Sequence, residues 1–299
     1  MNKCKTICLA LLVMLLWGTL FPMVKLGYTA YHITTTGDIL FFAGVRFTIC
    51  GIVICLYSWI TAKDSYKAVK SSIVPVLLSG FFAIILHYGF TYIGLQLTDS
   101  AKTAILKQIG VLFYVCFSAL FFKEDKLTLR KLLAVVMGLI GILAINTSYD
   151  GISFHFGDLL IVAASFCTVF SNIISKKVLS AVVPVTMTGV SQLFGGVGLL
   201  VFGKLLGGGM HMNFTFGQSF LMIYICLASI FSYCIWFTVV KNGELSKLFI
   251  IKFAEPVFAC VFGALLLGEN IFKIQYLAAF LLIAGGICIS NIKTDKSCV

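Results

Sequence analysis

Charge is scarce in this chain. Asp, Glu, Lys and Arg make up 11% of its 299 residues while 60% are hydrophobic, against about a quarter charged in an ordinary globular protein. So little charge cannot clothe a solvated surface, which excludes a soluble globular domain. Carboxylates are scarcer still, 11 against 22 Lys and Arg, and there are only four prolines. The signatures of membrane-embedded enzymes are missing as well. The sequence has no His-Glu-x-x-His zinc motif, no Gly-x-Ser-x-Gly elbow, no aspartate pair inside apolar runs and no Walker motif. We therefore expect no catalytic residues, no cofactor, no metal and no direct use of ATP. The 11 cysteines sit mostly inside apolar runs without paired ligand spacing, and read as small packing residues.

What is present is ten apolar runs of spanning length, near residues 6–26, 38–60, 72–97, 100–122, 129–147, 157–175, 184–206, 215–240, 245–267 and 274–292. A helix needs about 20 apolar residues to cross a bilayer. The expected fold class is thus an all-α polytopic membrane protein with ten transmembrane helices. The first run lacks a small-residue cleavage pattern and is expected to be retained. The net charge of +11 would suggest nucleic acid in a soluble protein. Its placement speaks instead of topology, and no nucleic-acid partner is expected. With a cytoplasmic N-terminus and every run crossing, fifteen Lys and Arg fall inside and only Lys25, Lys102, Lys204 and Lys273 outside. This obeys the positive-inside rule and predicts both termini in the cytoplasm of a multi-pass plasma-membrane protein.

Three basic residues, Arg46, Lys107 and Lys252, remain within runs. A charge at the bilayer centre costs about 2.5 to 3.5 kcal/mol on insertion scales, so such residues face a bundle interior or a wet cavity. The run 245–267 is the most anomalous, because it carries Lys252, Glu255 and Pro256 together. On a continuous helix Lys252, Glu255, Ala259 and Gly263 would share one face, with small residues leaving room beside the charges. Pro256 cannot donate to the carbonyl four residues back and is expected to loosen the helix there. The segment predicts the wall of a polar site near the midplane.

The chain also repeats itself. Residues 100–146 set beneath 245–291, an offset of 145 without gaps, give 13 identities in 47 positions. Lys107 meets Lys252, Lys102 meets Lys247, Glu124 meets Glu269, Gly141 meets Gly286 and Asn146 meets Asn291. Two lysines and a glutamate in register are not the chance likeness of apolar helices. We read a duplication, with halves 1–147 and 148–299 of five helices each. An odd number of crossings turns the second half over, which is the inverted-repeat plan of many secondary transporters.

Other candidates follow from helical spacing. Lys107, Gly110, Tyr114 and Ser118 share a face in the first copy, where Gly110 replaces Glu255. In the first run Trp17 precedes Gly18, and Pro22 is expected to kink the helix as a hinge, with Pro256 as a second hinge. Tyr88 and Tyr92 lie one turn apart beside His87, which is either a hydrogen-bonded interior residue or a proton carrier. Tyr233 and Trp236 share a face that either lines a cavity or packs. Arg46 either neutralises a carboxylate, snorkels outward or points into the cavity. The glycines of helices five and ten suggest packing or a homodimer contact.

With the duplication, Trp17-Gly18-Thr19, Arg46, Glu255-Pro256 and Gly268-Glu269 in view, the chain resembles the EamA-like family of the drug/metabolite transporter superfamily over nearly its whole length. The first copy departs from the pattern in carrying Val111 where the second has Pro256. The resemblance implies a central cavity between inverted halves and alternating access for a small solute, often exported. From the residues we expect a substrate site of Lys107, Lys252, Glu255, Tyr114, Trp17, Tyr88 and Trp236, with Glu255 and His87 as proton-coupling candidates. A zwitterionic amino acid would satisfy both signs of charge in it. The alternatives are an exporter of drugs or other organic solutes and a non-transporting membrane receptor or scaffold. The expected partners are a small-molecule substrate and the lipid bilayer.

Overall fold

The computed structural model describes residues 3–97, 106–146, 155–210, 215–267 and 274–291, and these are helical with no strand among them. In chain order the helices are α1 (Lys3–Ala30), α2 (Thr36–Thr61), the short α3 (Ser65–Ser71), α4 (Ile73–Gly80), α5 (His87–Leu97), α6 (Ile109–Phe121), α7 (Leu129–Asn146), α8 (Phe156–Val178), α9 (Pro184–Leu205), α10 (Phe216–Asn242), α11 (Leu245–Ile251), α12 (Ala254–Leu267) and α13 (Ile274–Asn291). Between α4 and α5 the chain continues as a π-helical segment, Phe81–Leu86. Among the described residues seven helical spans are long and apolar enough to cross a membrane, joined by shorter apolar helices at Ile109–Ser118 and Phe280–Asn291. Large apolar side chains such as Leu56, Trp59, Ile60, Leu120, Phe216 and Leu265 point outward, as a lipid-facing surface requires.

Lipid tails are as apolar as leucine, so helices in a bilayer associate through close packing rather than through water exclusion. Glycine supplies that closeness here. Helices α2 and α9 press backbone to backbone: a Cβ on Gly51 would stand 2.4 Å from the Leu193 nitrogen, and one on Gly44 2.4 Å from that of Leu200. Gly196 and Gly203 of α9 face Thr48 and Phe41 of α2 equally tightly. Gly18 of α1 admits Phe258 of α12 at 2.5 Å. Of the glycines expected to serve packing or a dimer contact in helices five and ten, three pack against neighbours within the chain. Gly286 faces Ala134, Gly285 faces Met137 and Gly138 receives the Phe253 ring.

The pairings have a pattern. In addition to α2 with α9 and α7 with α13, α1 packs on α10 and on α12, while α5 and α6 both pack on α8. Exchanging the two halves of the chain maps α2–α9 and α7–α13 each onto itself, α1–α10 onto α5–α8 and α1–α12 onto α6–α8, which is consistent with a two-repeat architecture. The first and last described residues meet at one face of the bundle, where the Lys3 ammonium donates to the Asn291 carbonyl. The sequence repeat is visible in the backbone too. Lys107 and Gln108 form a turn just before α6, and Lys252 and Phe253 form a turn just before α12, each at the offset of 145. Both lysines therefore sit at breaks between helical segments rather than on continuous helices.

Candidate functional site

The break at Lys252 differs in detail from the sequence expectation. The Lys252 carbonyl is not left free by Pro256, because the Glu255 N–H turns back to it at 3.0 Å. Pro256 itself occupies the first turn of α12, where a missing N–H costs nothing. The break also removes Lys252 from the face of α12 that carries Glu255, Ala259 and Gly263. Lys252 and Glu255 are electrostatically coupled without forming a direct ion pair.

The Lys252 ammonium lies instead over three aromatic rings, 5.4 Å from the centre of Trp17, 5.5 Å from Trp236 and 5.4 Å from Phe249. Such cation–π contacts are favourable by about 0.5 to 2 kcal/mol each, more when water is excluded. The rings are held in place by hydrogen bonds. The Trp17 indole donates to the Ser232 hydroxyl at 3.0 Å, and that of Trp236 to the Asn172 side-chain oxygen at 2.7 Å. Lys107 comes to the same stripe of α1, its ammonium 5.5 Å from the ring of Phe21, one turn beyond Trp17. The two lysines are close enough to repel each other. The structure thus brings Trp17, Lys107, Lys252 and Trp236 to one place, with Glu255 beside them.

From Trp17 the aromatic wall continues inward. Tyr233 lies 5.5 Å from Trp17 and its hydroxyl is 3.0 Å from that of Tyr88. The Tyr88 ring packs at a tilt against Tyr92 at 5.5 Å and against Phe47 at 4.8 Å. The π-helical segment immediately before His87 sets the register at which His87, Tyr88 and Tyr92 meet this wall, and such local widenings recur at functional sites. His87 points its Nδ1 at the Ala164 carbonyl (3.1 Å) and the Thr168 hydroxyl (2.9 Å), as an interior histidine does, and it lies within electrostatic range of Lys107 and Lys252. Pro22 is buried inside a helix α1 that runs unbroken from Lys3 to Ala30.

Tyr114 is placed elsewhere. Its hydroxyl donates to Asp125 at 3.1 Å and its ring stacks on Phe249 at 4.8 Å, so it belongs to a polar cluster at the lysine-rich end of the bundle. Asp125, in the α6–α7 loop, also accepts from Lys131 at 2.8 Å, from the Ser246 N–H at 2.9 Å and from the Ser246 hydroxyl. Lys131 pairs with Glu244 in addition, and Lys247 reaches Glu244 at 2.5 Å. Burial would push the Asp125 carboxyl up, but the hydrogen bonds and charge of Lys131 and Ser246 outweigh it and hold the group below the usual carboxylate range.

Sequence reasoning did not anticipate Phe21, Asn172, Ser232 or Phe249. Phe21 could have been found from its i, i+4 spacing to Trp17, and Asn172 from being an amide inside an apolar run. Phe249 carried no signal, because an apolar residue in an apolar run is uninformative until its neighbours are known.

An all-helical bundle with two lysine-bearing helix breaks and a polar-aromatic interior is the build of a membrane transporter. The chain matches the EamA-like transporter family over residues 5–147 and 155–291, and it belongs to that family. It is 28% identical over 287 residues to the "Uncharacterized transporter YoaV" of Bacillus subtilis, covering 92% of each chain. It is 26% identical over 291 residues to a "Probable amino-acid metabolite efflux pump" of Salmonella typhimurium, covering 93% of this chain and 92% of that one. A solved crystal structure superposes with a TM-score of 0.78 at 17% identity over 96% of both chains, a likeness of fold alone.

Proposed function

We propose that the protein is a secondary carrier of the plasma membrane that exports amino acids, or related zwitterionic and anionic metabolites, by alternating access between two inverted five-helix halves. In this reading ten helices cross the membrane, both termini are cytoplasmic, and the lysine-rich end that holds Asp125 is the cytoplasmic gate in its closed form. The observation that carries it is the pair of matching helix breaks with Lys107 and Lys252, both drawn to the Trp17–Phe21 stripe beside Glu255. Broken helices at a repeat interface are where transporters bind their solutes. The lysines draw in a carboxylate, Glu255 receives an ammonium, and Trp17, Tyr88 and Trp236 enclose the rest. Pro22 and Pro256 are the hinges, and His87 is held in reserve as a proton carrier beside Glu255. The Salmonella relative named as an amino-acid metabolite efflux pump supports the substrate class.

The aromatic box around the Lys252 ammonium favours a second reading, export of organic cations that would take the place of that ammonium. Flux in proteoliposomes separates the two. Counterflow of amino acids that is lost in both Lys107→Met and Lys252→Met supports the first. Uptake of a quaternary ammonium that survives in Lys252→Met, with no amino-acid counterflow in the wild type, overturns it.

A further inference from the structure

Arg46 is a cation buried in the bundle interior, 3% exposed on α2. By helix rise it lies about 15 Å from Thr36 at the helix start, well inside the bilayer. Its guanidinium sits 4.2 Å from the ring centre of Phe47 and 5.4 Å from that of Tyr88. The groups that face it are the phenols of Tyr88, Tyr92 and Tyr233 and the Cys50 thiol, with the Tyr28 phenol meeting Tyr92 alongside. Among the described residues its side chain has no carboxylate against it, and its buried Nε makes no hydrogen bond. Among the described residues Arg46 neutralises no carboxylate, and its burial shows that it does not snorkel outward.

Two cations nearer the lysine-rich end are satisfied by oxygen acceptors, which Arg46 is not. Lys131 has Asp125 and Glu244, and Lys176 donates to the carbonyls of Val240 and Gly243. A buried cation without a carboxylate costs several kcal/mol, which two cation–π contacts offset only in part, and that imbalance points to a ligand that completes it. Its surroundings define the use. Guanidinium is a rigid fork of donors that matches the two oxygens of a carboxylate. The Tyr88 and Tyr233 hydroxyls bond to each other at 3.0 Å, which consumes one of their two protons and leaves the other to donate. The site has a positive charge and a free O–H donor and, among the described residues, no carboxylate to meet them. The same Tyr233 touches Trp17, which lies under Lys252, so one unbroken set of aromatic contacts joins Arg46 to the lysine site.

We propose that Arg46 is an oxyanion anchor of the transport path, taking the carboxylate of the solute in its guanidinium fork with a phenol hydroxyl of Tyr88 or Tyr233 as a further donor. Lys107 and Lys252 then serve to attract the anion and Arg46 to fix it. This rests on the reading of the protein as a carrier of amino-acid-like solutes.

The test uses the purified full chain and the standard L-amino acids, each beside its C-terminal amide, which differs only in lacking the carboxylate. Binding is read by tryptophan fluorescence and transport by counterflow. In the wild type the acid should bind better than the amide by about 10- to 100-fold, the range expected of hydrogen bonds to a charged group. Arg46→Gln should bring that ratio near unity and leave the melting temperature unchanged or higher, since an unpaired buried charge has been removed. Arg46→Lys should keep part of the ratio. An Arg46→Gln variant that keeps the full acid-over-amide ratio overturns the proposal. So does one that melts lower while Arg46→Lys, which stays folded, loses none of the ratio. If the wild type responds to no amino acid but to succinate or benzoate, and Arg46→Gln abolishes that response, the anchor stands and the amino-acid reading falls. A response to organic cations alone, unchanged in Arg46→Gln, removes both.

Discussion

Two regions of the bundle bury charge and treat it in opposite ways. At the lysine-rich end Asp125 is saturated, accepting from Tyr114, Lys131 and both donors of Ser246, and Lys131 has a second carboxylate in Glu244. In the interior Lys252 rests on aromatic faces, Glu255 has no direct ion pair, and Arg46 has an unpaired Nε. A saturated cluster holds elements together, since removing any member strands the others in a low-dielectric setting. An unsaturated one contributes little to stability and is poised for a ligand that supplies what is missing. The difference teaches which buried charges to read as scaffold and which as site.

The largest expected effect lies in the saturated cluster. Asp125→Ala leaves Lys131 buried beside a single carboxylate and strips the cap from the first turn of α11, and breaking a buried pair in this way typically costs about 3 to 5 kcal/mol. The measurement is thermal unfolding in detergent, and a loss near zero would erase the contrast between the two regions. The same cluster joins the α6–α7 loop of the first half to the start of α11 in the second. Its repeat partners in the sequence, Asn270, Tyr276 and Ala101 for Asp125, Lys131 and Ser246, cannot rebuild the ion pair. The lock is therefore peculiar to one end, and Asp125→Asn should raise the reactivity of a cysteine placed at Ser246 toward a thiol reagent applied from the lysine-rich side.

Next in size is the interior. Lys252→Met should cost little stability, because the methionine keeps contact with Trp17, Trp236 and Phe249, while solute binding falls by about tenfold or more through loss of a charged hydrogen bond. A variant that loses stability as severely as Asp125→Ala, with transport intact in the folded fraction, would make Lys252 a structural residue and collapse the comparison.

The sequence disclosed much of this and for definable reasons. Seven of the ten expected spans are long apolar helices among the described residues, because apolar length alone marks them, and the lysine register follows from the repeat at an offset of 145. The packing of α2 on α9 was not legible, because glycine in an apolar run does not say which neighbour it admits. The site was read in part. Lys252 and Glu255 were assigned one helical face, which assumes an unbroken helix, whereas a turn at Lys252–Phe253 turns the lysine onto Trp17 and Trp236. Tyr114 was placed with Lys107 by the same assumption, and its hydroxyl goes instead to Asp125 in a loop whose path no periodicity encodes.

The smallest expected effect is a pH dependence of stability, and it sharpens the contrast because it reads the saturated cluster directly. The Asp125 carboxyl is held below its unfolded value of about 3.9 by Lys131 and Ser246 against the opposing pull of burial. A carboxylate lowered on folding contributes stability that is fully present above the unfolded value and is lost as pH falls through the folded one. The wild type should therefore melt at a constant temperature from neutral pH down to about pH 5 and lose stability progressively below it, by the linkage just stated. Asp125→Asn, already destabilised, should show a shallower acid loss, since an amide has no proton to take up. Exposed carboxylates contribute equally to both curves and cancel in the difference. Parallel melting curves for the wild type and Asp125→Asn between pH 6 and pH 3 would mean that the cluster is not ionised as the hydrogen bonds indicate, and the saturated region would have to be redefined as a neutral network.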